Sequence, residues 1–173
     1  VYNRLVVVEP NGEINRYDKR HLFSFAQEDR TFSAGNKRIT VKINGWDICP
    51  LICYDLRFPV WSRNGGSSFG DYDVLVYVAN WPAIRSIPWI DLLKARAHEN
   101  QAYIVGVNRV GTDGNGIEYS GNSMVIDPKG NVMAELPEKT EGWIVTEIDL
   151  GALKEYRKKF RALDDADKFL FDI

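Results

Sequence analysis

The stretch Ile48-Cys49-Pro50-Leu51-Ile52-Cys53-Tyr54-Asp55-Leu56-Arg57-Phe58 decides how this chain is read. Ile48, Leu51 and Ile52 give a short, nearly continuous apolar run, the pattern of a strand buried on both faces. Asp55 and Arg57 follow, with Pro59 close behind, which suits a tight strand-to-helix elbow with proline in the first helical turn. Cys53 stands at the junction and reads as a nucleophile, because a helix N-terminus and nearby cations favour thiolate. A cysteine without such neighbours is more often a small buried hydrophobe.

Working outward, 173 residues that are 45% hydrophobic, with five Trp, eight Tyr and eight Phe, can fill one sizeable core. Lys plus Arg number 22 against 24 Asp plus Glu, a net charge of -2, which argues against nucleic acid and an anionic membrane surface as partners. No apolar run approaches the roughly 20 residues of a membrane-spanning helix, and the opening VYNRLVVVEPNG has neither the pattern of a leader nor that of a transit peptide. The expectation is a soluble cytoplasmic protein. Placed on one strand, Cys49 and Cys53 would be about 13 Å apart at roughly 3.3 Å per residue, too far for a disulfide. With only His21 and His98 elsewhere, no zinc-like cluster forms at useful spacing, so metal catalysis is a poor fit.

In chain order, Arg4 to Val8 and Ile14 to Tyr17 read as a hairpin about Asn11-Gly12. Its abrupt start suggests a domain entered after its natural opening. Asp18 to Phe23 leads into a polar loop, Ser24 to Gly35, that contains Glu28. Arg38 to Ile43 and Trp46 to Ile52 form a second hairpin ending on the cysteine. Val60 to Asn64 reads as a helical turn or two, stopped by Gly65-Gly66 and the small residues through Gly70. Val74 to Ala79 is the clearest buried strand and ends on Asn80-Trp81-Pro82. Ser86 is positioned to cap a helix running to Asn100, with Pro88 near its first turn. Ala102 to Val107 is the next strand, 111–116 is irregular, and strands follow at Ser123 to Ile126, Val132 to Leu136 and Trp143 to Ile148. Asp149 can cap a last helix, Ala152 to Phe160, and 161–173 reads as a charged, aromatic arm.

This irregular alternation predicts an α/β sandwich of mixed sheets covered by helices. No GxGxxG, P-loop or GxSxG is present, so nucleotide folds and serine hydrolases recede.

Several separate motifs carry a resemblance. Tyr17 to Phe23 (YDKRHLF), Glu28 before Phe32-Ser33-Ala34-Gly35, and Ile52 to Pro59 (ICYDLRFP) resemble the nitrilase superfamily of carbon-nitrogen hydrolases. Asn80-Trp81-Pro82, Leu92 to Gly111, Asp113 to Gly116 (DGNG), Ser120 to Ser123 (SGNS) and Asp127 to Gly130 (DPKG) are similar to its omega-amidase branch. The resemblance implies an αββα sandwich, paired across its helices into a homodimer, with 1–173 forming the C-terminal major part of a single domain and 161–173 a candidate dimer-contacting arm. It implies a Glu-Lys-Cys triad with a second, supporting Glu and no metal or organic cofactor. Cys53 matches the nucleophile, Lys19 the lysine and Glu28 the supporting glutamate. The general-base glutamate has no match, because in the family it precedes the first hairpin.

The residue types suit the chemistry on their own terms. A thiolate attacks the amide carbon, ammonia leaves, and water hydrolyses the thioester. Lys19 and the backbone N–H of Tyr54 would hold the oxyanion. Arg57 and Arg85, just after strand ends, could fork onto a substrate carboxylate or serve as structural ion-pair partners. Trp81 walls the pocket or caps the core. His21 and His98 read as hydrogen-bonded scaffold, and Asn80, Asn108, Asp113 and Asn115 fit turns as well as ligands. Two functions follow: an amidohydrolase acting on the terminal amide of a small 2-oxo dicarboxylic acid monoamide, or a noncatalytic scaffold of the same fold. Nitrilases and other amidases of the superfamily are alternatives in substrate to the first.

Overall fold

Apolar strands seek two covered faces, and the sheet shows how far this chain provides them. The computed structural model describes residues 1–65 and 70–170. β1 (Arg4–Val8) and β2 (Ile14–Asp18) form an antiparallel hairpin. β3 (Val41–Ile43), β4 (Trp46–Ile52), β5 (Val74–Ala79), β6 (Tyr103–Asn108), β9 (Met124–Ile126) and β10 (Val132–Glu135) build one six-stranded sheet in the order β10-β9-β6-β5-β4-β3. β4, β5 and β6 are parallel, while the outer pairings are antiparallel, so the sheet is mixed as expected. β7 (Val110–Thr112) and β8 (Glu118–Ser120) make a further hairpin. Pro50 lies within β4 without conflict: β3 pairs only as far as Ile48, so beyond that point one side of the strand needs no ladder donor.

One face of the sheet is sealed. Cys49, Leu51, Leu75, Tyr77, Ile104 and Ile126 point into a fully buried core against Trp61 of α1 (Pro59–Ser62) and Trp89, Leu93 and Ala97 of α2 (Ser86–Asn100). Gly106 permits this fit, since a Cβ there would stand 2.5 Å from Leu93 Cδ1. The opposite face is covered chiefly at one end, where Leu153 of α3 (Leu150–Lys159) packs with Val74 and Tyr103, while Trp46, Ile48, Val76 and Val105 stay half-buried.

Several expectations need correction. β4 ends at Ile52, so Cys53 lies beyond the strand and opens a 3-10 turn, Cys53–Arg57. Ser86 does not cap α2: it is the first helical residue, Arg85 takes the N-cap position, and no side chain caps there. The glycine-rich 111–116 stretch holds the end of β7 and a tight turn into β8. Residues 24–30 contain two short 3-10 turns. Trp143 to Ile148 alternates between exposed and half-buried but pairs with no strand among the described residues; without a sheet edge beside it, Trp143 is 83% exposed. The last helix starts at Leu150, capped by Asp149 accepting the Ala152 N–H at 3.0 Å.

The apolar side of helix 92–100 is used in its own core, with Leu93 and Ala97 fully buried. The arm folds back, Leu163 lying against Gly65. Residues 66–69, part of the small-residue stop, and Phe171 of the arm lie outside the described residues. No helix among the described residues is long and apolar enough to cross a membrane.

Candidate active site

Three parallel strands end side by side, and each delivers a polar residue there: Cys53 after β4, Asn80 after β5 and Asn108 closing β6. Ligand sites favour the carboxyl ends of parallel strands. Cys53 has φ 47°, a left-handed conformation that disfavours any residue with a Cβ. Asp55 stabilises the turn by accepting the Ile52 N–H at 3.1 Å. The thiol is partly exposed, its sulfur 3.9 Å from the Asn80 carbonyl oxygen.

A cavity of about 820 Å³ opens here, wider than a small amide needs, and Cys53, Lys19 and Glu28 all line it. Lys19 leaves β2 just past its end, with its backbone N–H on Asn3 O and its carbonyl accepting the Gly35 N–H, both at 2.9 Å. Gly35 is required for that approach, because a Cβ would stand 2.1 Å from Asp18 O. The lysine is buried, and Nζ donates to Glu28 Oε2 at 2.6 Å.

Burial acts to raise the Glu28 carboxyl, but Lys19 Nζ, the Phe23 N–H and Asn3 Nδ2, the last two at 2.7 Å, together hold it below its ordinary value. So occupied, Glu28 is placed to steer the ammonium and is a poor proton acceptor. Cys53 departs from expectation in the other direction. Burial pushes its thiol up, the pull of Lys19 is insufficient to reverse this, and Glu28 and Asp55 add to the rise. Burial at the elbow thus works against the thiolate expected there.

The remaining site candidates gather on the same cavity. Tyr54 lines it, its ring between Phe23 and Phe58 with centroids 4.9 and 5.1 Å away. Arg57 lies over the Trp81 ring at 4.9 Å and Arg85 over Phe23 at 5.4 Å. Neither pairs with a carboxylate among the described residues. Trp81 fills both roles considered for it: it lines the cavity, yet is buried against Trp89, with Nε1 donating to Arg85 O at 2.6 Å. Asn108 is structural, tying Trp81 to Gly121 through donors and acceptor at 2.7 to 3.0 Å. His98 packs against the Gly130 turn, away from the cavity. Among the described residues, no three His, Cys, Asp or Glu side chains cluster to hold a metal ion.

Sequence reasoning passed over three contributors. Asn3 anchors Glu28 from an opening segment with no motif to mark it. Tyr119 lines the cavity and donates to Asp113 Oδ2 at 2.9 Å; Asp113 also accepts the Asn115 and Ile117 N–H groups, so the DGNG turn supports that part of the wall without lining it. Asp55 stood beside the cysteine in plain view, but its partners are distant in sequence.

The carbon-nitrogen hydrolase family model matches residues 1–158. Omega-amidase YafV of Escherichia coli (strain K12) is 54% identical over 167 residues, covering 96% of this chain and 64% of that protein. 2-oxoglutaramate amidase of Bacillus subtilis (strain 168) is 37% identical over 172 residues, covering 99% of this chain and 65% of that protein. A CN-hydrolase superfamily protein of Xanthomonas campestris, solved with an arsenic adduct in its active site, superposes with a TM-score of 0.94 at 43% identity, over 98% of this chain and 65% of its own. The chain thus spans 64 to 65% of the length of these relatives. A match of this extent, in sequence and in backbone alike, means that the chain belongs to the carbon-nitrogen hydrolase family, on the omega-amidase-like branch of the nitrilase superfamily.

Proposed function

We propose that the protein containing these residues is a cysteine-dependent amidohydrolase that releases ammonia from the terminal amide of small 2-oxo dicarboxylic acid monoamides, such as 2-oxoglutaramate. One observation carries the reading: the Cys53 elbow and the Lys19–Glu28 pair share a cavity with two guanidinium groups that have no carboxylate partner among the described residues. The thiol attacks the amide carbon; Lys19 and the Tyr54 N–H stabilise the oxyanion; ammonia leaves and water releases the acid from the thioester. Arg57 or Arg85, backed by Trp81 and Phe23, receives the far carboxylate. The names of the two amidase relatives support this substrate class.

Proton transfer needs one more group. Among the described residues Glu28 is the only carboxylate lining the cavity, and its oxygens already accept three hydrogen bonds. The proposed reaction therefore needs a base other than Glu28. The same observation supports the second reading, a noncatalytic scaffold. An ammonia-release assay on the full-length protein with a 2-oxo acid monoamide separates them: turnover lost in Cys53→Ala supports the amidase, and no turnover in the parent overturns it.

Self-association and a cytoplasmic location complete the proposal. Ile84, Ile87 and Leu170 are 89%, 72% and 85% exposed, apolar surface suited to pairing. Sedimentation of the full-length protein as a dimer would support this, and a monomer at micromolar concentration would count against it.

A further inference from the structure

Asp55 is completely buried, yet it does not touch the cavity. A buried carboxylate is tolerated only when donors surround it. Four do. Ile52 N–H comes from its own elbow at 3.1 Å; Tyr17 Oη at 2.7 Å, His21 N–H at 3.0 Å and His21 Nδ1 at 2.9 Å come from the other side. Tyr17 and His21 are the residues two before and two after Lys19. Three of the four donors therefore tie the elbow to the segment around Lys19 and not to the elbow itself. The clamp is braced further, for Trp61 Nε1 donates to Tyr17 Oη at 2.9 Å and the His21 ring stacks on Phe58 at 3.7 Å.

We propose that Asp55 is a positioning residue for the reaction: through the Tyr17 hydroxyl on one side of Lys19 and the His21 backbone and ring on the other, it bolts this segment to the Cys53 elbow, fixing the ammonium relative to the sulfur. Glu28 aims the lysine side chain, while Asp55 sets where that side chain begins. The inference rests on the reading of Cys53 as nucleophile, but its consequence is visible in the thiol without any turnover.

The charges facing Cys53 make the sign diagnostic. They are Lys19 from the end of β2, Glu28 from the 28–30 turn, Asp55 from its own elbow and the Tyr119 phenol from β8, with Arg57 and Arg85 farther along the cavity lining. Asp55 pushes the thiol up and Lys19 pulls it down. Removing the Asp55 charge while Lys19 stays in place would therefore make Cys53 more acidic. Releasing Lys19 does the reverse.

The test is the pH profile of iodoacetamide alkylation at Cys53 in the full-length protein, read by peptide mass; fully buried Cys49 is the internal control. Asp55→Asn is expected to move the midpoint upward and slow alkylation below it at least about tenfold, because only the thiolate reacts. Tyr17→Phe, which leaves the aspartate charge intact, is expected to move it the same way by a smaller amount. A downward shift in Asp55→Asn overturns the proposal, since it would report charge without positioning. If Asp55→Asn fails to fold, Tyr17→Phe decides, and an unchanged midpoint overturns the proposal. Failure of the parent to hydrolyse amides would sink the functional reading while leaving the alkylation result to judge the clamp.

Discussion

The two walls of the cavity are built on opposite plans. On the wall formed by Cys53, Lys19 and Glu28, almost every polar group is already engaged: Lys19 by Glu28, Glu28 by three donors, and the flanking backbone by Asp55. On the wall formed by Arg57, Trp81 and Arg85, the guanidinium groups rest on aromatic faces with no carboxylate partner among the described residues. Saturation fixes geometry, which is what the proposed contact with an oxyanion would require. Guanidinium charge held on a flat ring is instead open to the ligand carboxylate proposed for it. The contrast predicts that mutations on the first wall act on turnover and those on the second on substrate binding.

The largest expected effect follows from removing the sulfur. In the full-length protein, Cys53→Ala should abolish both ammonia release and the thioester seen by intact-mass measurement, while leaving the binding of a 2-oxo acid monoamide close to the parent value by calorimetry. Lys19→Ala should come next, lowering kcat by roughly 10² to 10³, the typical cost of one oxyanion donor. A large change in KM with kcat intact would show that Lys19 belongs to the binding wall and erase the distinction.

Arg57→Gln and Arg85→Gln test the other side. Loss of a charge-assisted contact costs about 1.5 to 3 kcal/mol, so the variant that removes the true carboxylate partner should raise KM by one to two orders of magnitude. The rise should be confined to substrates with a far carboxylate. Equal effects on neutral amides would make both arginines structural supports of Trp81 and Phe23.

How much of this was readable in the chain depends on the distance over which each signal acts. β5 could be placed to the residue from its apolar run, and Cys53 could be singled out because the change from apolar to polar occurs within a few positions. The φ of 47° at Cys53 could not be read, because nothing in a cysteine announces a left-handed backbone. The Trp143 to Ile148 segment has strand periodicity but pairs with no strand among the described residues, and periodicity is silent about partners. Asp55 shows the same limit at the site. Its identity is local, but its partners Tyr17 and His21 lie 38 and 34 residues away. The rise of the Cys53 thiol was missed for a related reason: cations can be counted in sequence, whereas burial, which dominates there, is a property of the packed state.

The smallest effect is in stability, and it sharpens the comparison because it needs no substrate. Glu28 has its carboxyl lowered in the folded protein, against an ordinary value of 4.5, because three donors favour the carboxylate over the neutral acid despite burial. A group lowered by folding adds stability that is fully present above its unfolded value and is lost as pH falls through its folded one. Denaturant midpoints should therefore show the parent more stable than Glu28→Gln near neutrality, with the gap closing as pH drops below 4.5 toward the depressed folded value. Arg57→Gln and Arg85→Gln, which break no carboxylate pair, should leave the acid limb of the parent curve unchanged. A gap for Glu28→Gln that stays constant through that window would mean that the Lys19–Glu28 contact contributes shape without charge, and the first wall would then be no more electrostatically committed than the second.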